Sequence, residues 1–276
     1  MLDGDVKPFY ESFNGSIFCG DCVELMKKLP DSCIHLTVTS PPYDNLRKYK
    51  GFEWDFESTA KELFRVTKQG GIVVWVVGDS TAKGSETGSS FRQALFFKEC
   101  GFNLHDTMIY EKINPIPQNH NRYEQCFEYM FVFSKGKPST FNPLKEDTKH
   151  AGKTFNWGGR KTILDKDQCR RHRGDEMIQV KNKKTKRNIF RYSVGGGNTG
   201  HPAVFPFDLA KDHILSWSNE GDLVLDPFGG SGTTALAAIA TKRSFISIDI
   251  SEEYCDIQMK RVKECDSPFV LTAYEV

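Results

Sequence analysis

Two textures alternate along the chain. Short, nearly continuous apolar runs occur at Ser16–Cys19, Cys33–Thr39, Ile72–Val77, Leu104–Tyr110, Glu128–Ser134, Leu223–Leu225 and Ser244–Asp249, several of them bounded by Gly, Asp or Pro. Runs of this length, rich in β-branched and aromatic residues, predict strands; one without polar alternation, such as Ile72–Val77, predicts a strand covered on both faces. Between them lie segments with helical spacing of apolar residues. These are Val23–Leu29, stopped by Pro30; Phe56–Thr67, closed by Gly70-Gly71; Phe91–Cys100, ending at Gly101; Phe207–Ser216; the small-residue run Thr233–Ala240; and Glu252–Lys263. Strands alternating with helices predict an α/β fold with a mostly parallel central sheet and helices on both faces.

Beyond Lys135 the periodicity fades, basic residues cluster, and Gly195-Gly196-Gly197 closes the region. Residues 140–198 are therefore expected to form an insertion outside the sheet, between a first half at 1–139 and a second at 199–276. Lys145–Arg191 holds 15 Lys/Arg against 6 Asp/Glu, a net +9 in a chain whose total is +1, which leaves −8 for the remainder. A basic block on an acidic body fits a polyanion docking on one face, as well as a plain solvated surface.

Composition narrows the classes. With 276 residues, 38% hydrophobic and 26% charged, the chain suits a globular protein with a sizeable core. Its strongest apolar run, Ile72–Val77, is far too short for a membrane span. Met1–Tyr10 carries Asp3 and Asp5 and no apolar core of a signal peptide, so a cytoplasmic location is expected. Eight scattered cysteines argue against a disulfide framework. Cys19-Gly20-Asp21-Cys22 lacks the second ligand pair that a zinc site needs, so no metal is expected there.

Two motifs carry chemistry. The first, Asp226-Pro227-Phe228-Gly229-Gly230-Ser231-Gly232-Thr233-Thr234, follows a strand and opens a helix. Its glycines let the backbone approach a ligand, and the helix start offers free N–H groups. Asp249 ends the next strand 23 residues after Asp226, where an acid suits the two hydroxyls of a ribose. No Lys follows the last glycine, as a phosphate-binding Walker loop requires, so a nucleoside-bearing cofactor is the better match. The second motif is Thr39-Ser40-Pro41-Pro42-Tyr43, at the end of a buried strand. The prolines stiffen the backbone and hold its carbonyls as fixed acceptors. A side-chain oxygen on Ser40 and a nearby carbonyl can then grip both hydrogens of an exocyclic amine, with Tyr43 as a flat face for a base. Ser-Pro-Pro-Tyr by itself also suits a rigid turn.

Together these motifs resemble the DNA amino-methyltransferases that modify N6 of adenine or N4 of cytosine, and the resemblance covers nearly the whole chain. It implies a Rossmann-like methyltransferase fold, S-adenosylmethionine as cofactor, and double-stranded DNA as substrate, with the enzyme lying beside the chromosome. Ser40, Pro41, Pro42 and Tyr43 match the catalytic motif. Asp226, Pro227, Phe228, Gly229, Ser231, Gly232, Thr233, Thr234 and Asp249 match the cofactor motif and its ribose acid, with Thr39 beside them. Asp21 matches an acid facing the cofactor's adenine, with Cys22 next to it, and the run containing His201, Pro202 and Phe205 matches a segment around its methionine end. The catalytic motif precedes the glycine motif, an order that resembles the permuted class called beta, and this places the basic insertion where the family keeps its target-recognition region.

Arg47, Lys48, Arg160, Arg170, Arg171, Arg173, Lys183, Lys184, Lys186 and Arg187 then become candidates for phosphate or guanine contacts. Ser at the first motif position leans toward N4 of cytosine, with N6 of adenine as the alternative. A second copy of the chain and a cognate restriction endonuclease are admitted as partners. RNA or protein-glutamine methylation and an inactive DNA-binding module are the competing readings. The first pair normally places the glycine motif first, and the last fits poorly with an intact motif set.

Overall fold

The computed structural model describes residues 6–42, 54–115, 121–156, 162–164, 170–172, 177–194 and 206–265. In chain order, β1 (Tyr10–Glu11) and β2 (Gly15–Cys19) lead into α1 (Cys22–Met26) and β3 (Ile34–Thr39). Next come α2 (Phe56–Val66), β4 (Thr67–Val77), the small ribbon β5 (Thr81–Ala82) and β6 (Ser85–Glu86), α3 (Ser89–Glu99), β7 (Asn103–Lys112) and β8 (Phe127–Ser134). Six short strands follow: β9 (Lys145–Asp147), β10 (Thr154–Asn156), β11 (Thr162–Leu164), β12 (Arg170–His172), β13 (Met177–Gln179) and β14 (Lys183–Thr185). The last described elements are β15 (Ile189–Tyr192), α4 (Phe207–Trp217), β16 (Leu223–Asp226), α5 (Thr233–Ala240), β17 (Ser244–Asp249) and α6 (Glu252–Cys265).

Nine strands form one sheet in the order β1-β2-β17-β16-β3-β4-β8-β7-β15. The five strands from β2 to β4 are mutually parallel, and β8 enters antiparallel between β4 and β7. This is the expected Rossmann-like α/β architecture. Both faces of the middle strands are buried, which explains the unbroken apolar run of β4. Val73, Trp75 and Val77 join the core under α1, α2 and α3, while Ile72, Val74 and Val76 point to the opposite face, where α4 packs. At the centre Trp75 meets Phe97 edge-on at 5.0 Å, and Phe97 stacks on Phe133 at 4.4 Å. The Phe96-Phe97 pair thus serves helix packing.

Two boundaries differ from the sequence reading. Gly70-Gly71 does not close α2. That helix ends at Val66, and the hydroxyl of Thr67 donates to the Leu63 carbonyl at 2.6 Å while its backbone turns extended. The glycines lie inside β4, which is five residues longer than its apolar run, and Gly70 takes φ +79° at an irregular pairing with β3. The second difference concerns the insertion. Residues 189–192, expected outside the sheet, form its edge strand, parallel to β7. Phe190 and Tyr192 are buried, and the Tyr192 hydroxyl donates to Asp212 at 2.7 Å. The amphipathic signal there is only four residues long, contains Arg191 and follows Lys186-Arg187, so it was hidden by composition.

The compact units are accordingly residues 1–142 with 188–276, and 143–187. The second unit consists of two-stranded antiparallel ribbons, β9 with β14, β10 with β13 and β11 with β12. Among the described residues no helix is long and apolar enough to cross a membrane.

Candidate functional site

The C-terminal ends of β2, β17, β16, β3 and β4 lie side by side, and each is followed by a turn. In open parallel sheets such an edge is where ligands sit. Gly20 N–H donates to the Asp249 carbonyl at 2.9 Å, so the start of α1 is tied to the end of β17. Asp21 caps α1 by accepting the Glu24 N–H at 3.0 Å. The neighbouring Cys22 does not join this edge. Its side chain is buried in the core with its sulfur 3.8 Å from the Thr59 hydroxyl, and burial pushes the thiol up to about 12. The helical period turns Cys22 inward while Asp21, as cap, stays out; adjacency in sequence did not reveal that.

The glycine turn is tied at three points. Gly229 N–H donates to the Ile248 carbonyl at 2.7 Å and Gly232 N–H to the Gly229 carbonyl at 2.7 Å. Gly230 N–H reaches an Asp249 carboxylate oxygen at 2.8 Å, and Ser251 N–H reaches the other at 2.9 Å. Burial pushes the Asp249 carboxyl upward against these donors. Each of its oxygens has a second lone-pair direction, so the group can still accept from a pair of hydroxyls. Gly232, at φ +82°, starts α5 without any side-chain cap, which leaves that helix end to take an outside acceptor. These residues fit a nucleoside: an acid placed for a diol, a backbone turn beside it, and Asp21 across the edge.

Asp226 plays a different part from the one expected of it. It is 2% exposed, and one carboxylate oxygen accepts both the Thr39 hydroxyl at 2.6 Å and the Phe228 N–H at 3.1 Å. Burial pushes its carboxyl up to about 6, with Thr39 and Thr234 opposing. Thr39 is fully buried, and Thr234 donates to the Val38 carbonyl at 3.1 Å. Asp226, Thr39 and Thr234 therefore join the glycine turn to the Ser40 turn across 187 residues of sequence. Their buried side chains hold the two turns together. Ser40 follows Thr39 and is half-buried, Pro41 is buried, and Pro42 is half-buried. Trp54 packs on Phe228 edge-on at 5.4 Å and on Trp75 at 6.0 Å, so the aromatic core reaches the glycine turn.

One acid at this edge escaped the sequence reading. Asp79 follows β4 and accepts from the Ser90 hydroxyl at 2.6 Å, the Ser90 N–H at 2.9 Å and the Ser89 hydroxyl at 3.1 Å. Burial works to raise its pKa, but these donors win and hold it below the ordinary carboxylate value. The available signal was an acid two residues past a buried strand, followed by paired serines opening a helix.

Tyr43, Arg47, Lys48, Arg160, Arg173, His201, Pro202 and Phe205 lie outside the described residues. Of the basic candidates, Arg170 and Arg171 lie on β12, and Lys183, Lys184, Lys186 and Arg187 are exposed on or beside β14. Lys184 sits 2.8 Å from Glu146 across the ribbon. His35 lies at the opposite end of β3, where its Nδ1 accepts the Leu223 N–H at 3.0 Å, a structural role.

Comparison with known proteins agrees with this geometry. The profile of a DNA methylase family, N6/N4, matches residues 34–260. The orphan methyltransferase M.BamHII of Bacillus amyloliquefaciens is 54% identical over 252 residues, 87% of this chain and 92% of its own length. The type II methyltransferase M.PvuII of Proteus hauseri is 28% identical over 292 residues, 92% of this chain and 85% of its own. Among solved structures, the PvuII DNA methyltransferase, described as cytosine-N4-specific, is similar with a TM-score of 0.66 at 22% identity, over 98% of this chain and 97% of that one. The SAM complex of M1.HpyAVI is similar with a TM-score of 0.58 at 24% identity, over 90% of this chain and 99% of that one.

Proposed function

Since this chain belongs to the N6/N4 family of DNA methylases, we propose that it transfers a methyl group from S-adenosylmethionine to the exocyclic N4 of a cytosine turned out of duplex DNA. The observation that carries the reading is the 2.6 Å hydrogen bond from Thr39 to Asp226, which sets a turn fit for a nucleoside beside a turn fit for an amine.

A base amino group is stacked and paired in the duplex, so the target must leave the helix to reach Ser40. The Ser40 hydroxyl oxygen accepts one amino hydrogen and the Pro41 carbonyl the other. Held this way, the nitrogen lone pair is drawn out of conjugation with the ring. Tyr43 stacks on the displaced base. Ser40 is too weak a base to remove a proton beforehand, so it orients and does not deprotonate; the proton leaves to solvent once the methylated nitrogen has become cationic. When bound, the cofactor supplies a methyl already activated by its sulfonium. Asp249 accepts from the ribose hydroxyls and Asp21 faces the adenine end. What the protein adds is alignment, worth several orders of magnitude in rate.

Ser in the first motif position supports cytosine, as does the cytosine-N4 specificity of the similar PvuII enzyme; N6 of adenine is the second reading. The basic unit at 143–187 supports a target-recognition role, and the likeness to an orphan methyltransferase supports action without a matched endonuclease. The test is incubation with isotopically labelled cofactor and DNA, followed by mass spectrometry of the nucleosides. Label in N4-methylcytosine is expected; label in N6-methyladenine would replace the cytosine assignment, and label in neither would sink the reading. Ser40→Ala should lower methyl transfer by about a hundredfold with cofactor binding intact, as expected for loss of an oriented hydrogen bond.

A further inference from the structure

The glycine turn has a back as well as a front. Behind it lies α6, and one side chain of that helix, Gln258, is fully buried against two of the glycines. The Ser247 hydroxyl donates to Gln258 Oε1 at 2.6 Å, which fixes the amide in place. A Cβ added at Gly229 would lie 2.1 Å from Ser247 Oγ and 2.8 Å from Gln258 Nε2. One added at Gly232 would lie 3.1 Å from Gln258 Cγ. Gln258 Nε2 has no hydrogen-bond partner among the described residues, although it is completely buried. Three residues further along α6, Arg261 donates from Nη1 to the Ser231 carbonyl. The close approach that demands glycine at 229 is therefore an approach to the protein's own Ser247 on β17 and Gln258 on α6, behind the turn. From sequence the same glycine suggested approach to a ligand.

We propose that Gln258 and Arg261 are positioning residues for the methyl-donor site. They press the Gly229–Gly232 turn from behind, fix its shape before the cofactor arrives, and so set cofactor affinity without touching the cofactor. The physical basis is preorganisation. A turn with three glycines has a large conformational entropy to lose on binding, and a turn already held loses less at that moment. The inference rests on the reading that this turn receives S-adenosylmethionine.

The experiment is calorimetric titration of S-adenosylmethionine into the full chain, alongside steady-state methylation of DNA. The variants are Gln258→Ala, Arg261→Ala and Arg261→Lys. Both alanine variants should raise the cofactor Kd by about tenfold or more, the size expected when preorganisation is lost. KM for the cofactor should rise with it, while kcat at saturating cofactor stays within about twofold and DNA affinity is unchanged; a mere loss of folded protein would lower kcat and leave KM alone. Arg261→Lys should recover most of the affinity, since its ammonium can still donate to the Ser231 carbonyl. Gly229→Ala should lose cofactor binding and regain part of it when Ser247→Ala and Gln258→Ala remove the obstruction. An unchanged Kd in both alanine variants, or a fall in kcat with Kd unchanged, would overturn the proposal. Should Gln258→Ala fail to fold by circular dichroism, the Arg261 pair decides it alone. A wild-type chain that binds no S-adenosylmethionine would instead overturn the functional reading beneath it.

Discussion

At the C-terminal edge of the sheet, buried polar groups answer one another, Gln258 Nε2 excepted. Asp226 answers Thr39, Asp249 answers the Gly230 N–H, and Ser247 answers Gln258. In residues 143–187 the polar groups are charges on three-residue strands, and Lys183, Lys186 and Arg187 are exposed. Under the proposed function, the contrast follows from what each region would hold. A small ligand aligned to within an ångström needs donors and acceptors that cannot wander, so they are placed in the core, where an unmatched group is costly. A DNA backbone is a line of like charges that tolerates small displacements, so under that proposal exposed cations on light ribbons would be sufficient.

That contrast can be broken most sharply at Asp226. Asp226→Ala leaves the Thr39 hydroxyl and the Phe228 N–H buried without their acceptor, at about 1–3 kcal/mol each. Chemical denaturation should show that loss, and methyl transfer should fall by about a hundredfold because the two turns lose their common anchor. Retention of both stability and activity would show that the turns do not depend on this hydrogen bond.

The pH dependence is the next largest effect. The folded pKa of Asp226 is raised to about 6 from an unfolded value near 3.8, so the native state holds the proton more tightly. Its contribution to stability is present below the unfolded pKa and is lost as pH rises from about 4 to about 6, an effect on the order of 1–3 kcal/mol. His213 works the opposite way. Buried beneath the sheet, it is lowered to about 3, so its contribution is present above about 6.5 and is lost on acidification. Asp226→Asn keeps an acceptor for Thr39 and abolishes only the first slope. Unfolding free energies of variant and wild type should therefore diverge between pH 4 and pH 6, with the variant relatively more stable toward pH 6. Parallel curves would contradict the raised pKa.

The smallest effects on stability belong to the basic unit. Replacing Lys183, Lys186 and Arg187 together by alanine should leave stability within about 0.5 kcal/mol. It should nevertheless weaken DNA binding and make its salt dependence shallower by about 0.9 for each phosphate no longer neutralised. Lys184→Ala should do least, because Glu146 already faces that charge. A loss of cofactor affinity in the triple variant would mean that the two regions are not separable.

The amino-acid sequence by itself determined the strand–helix alternation, the Ser40 and glycine turns, the acids at the ends of β2 and β17, and the basic character of Lys145–Arg191. Each of these is written locally, in the period of apolar residues or in Gly, Pro and Asp where a strand stops. Only the tertiary structure decided that Asp226 serves Thr39, that Cys22 turns into the core, that Ile189–Tyr192 completes the sheet, and that Ser247 and Gln258 together forbid a side chain at Gly229. These are pairings between residues distant in the chain, or choices of face at a single position. Local periodicity is blind to both, because it fixes which way a segment prefers to fold and carries no information about which neighbour will fill the space beside it.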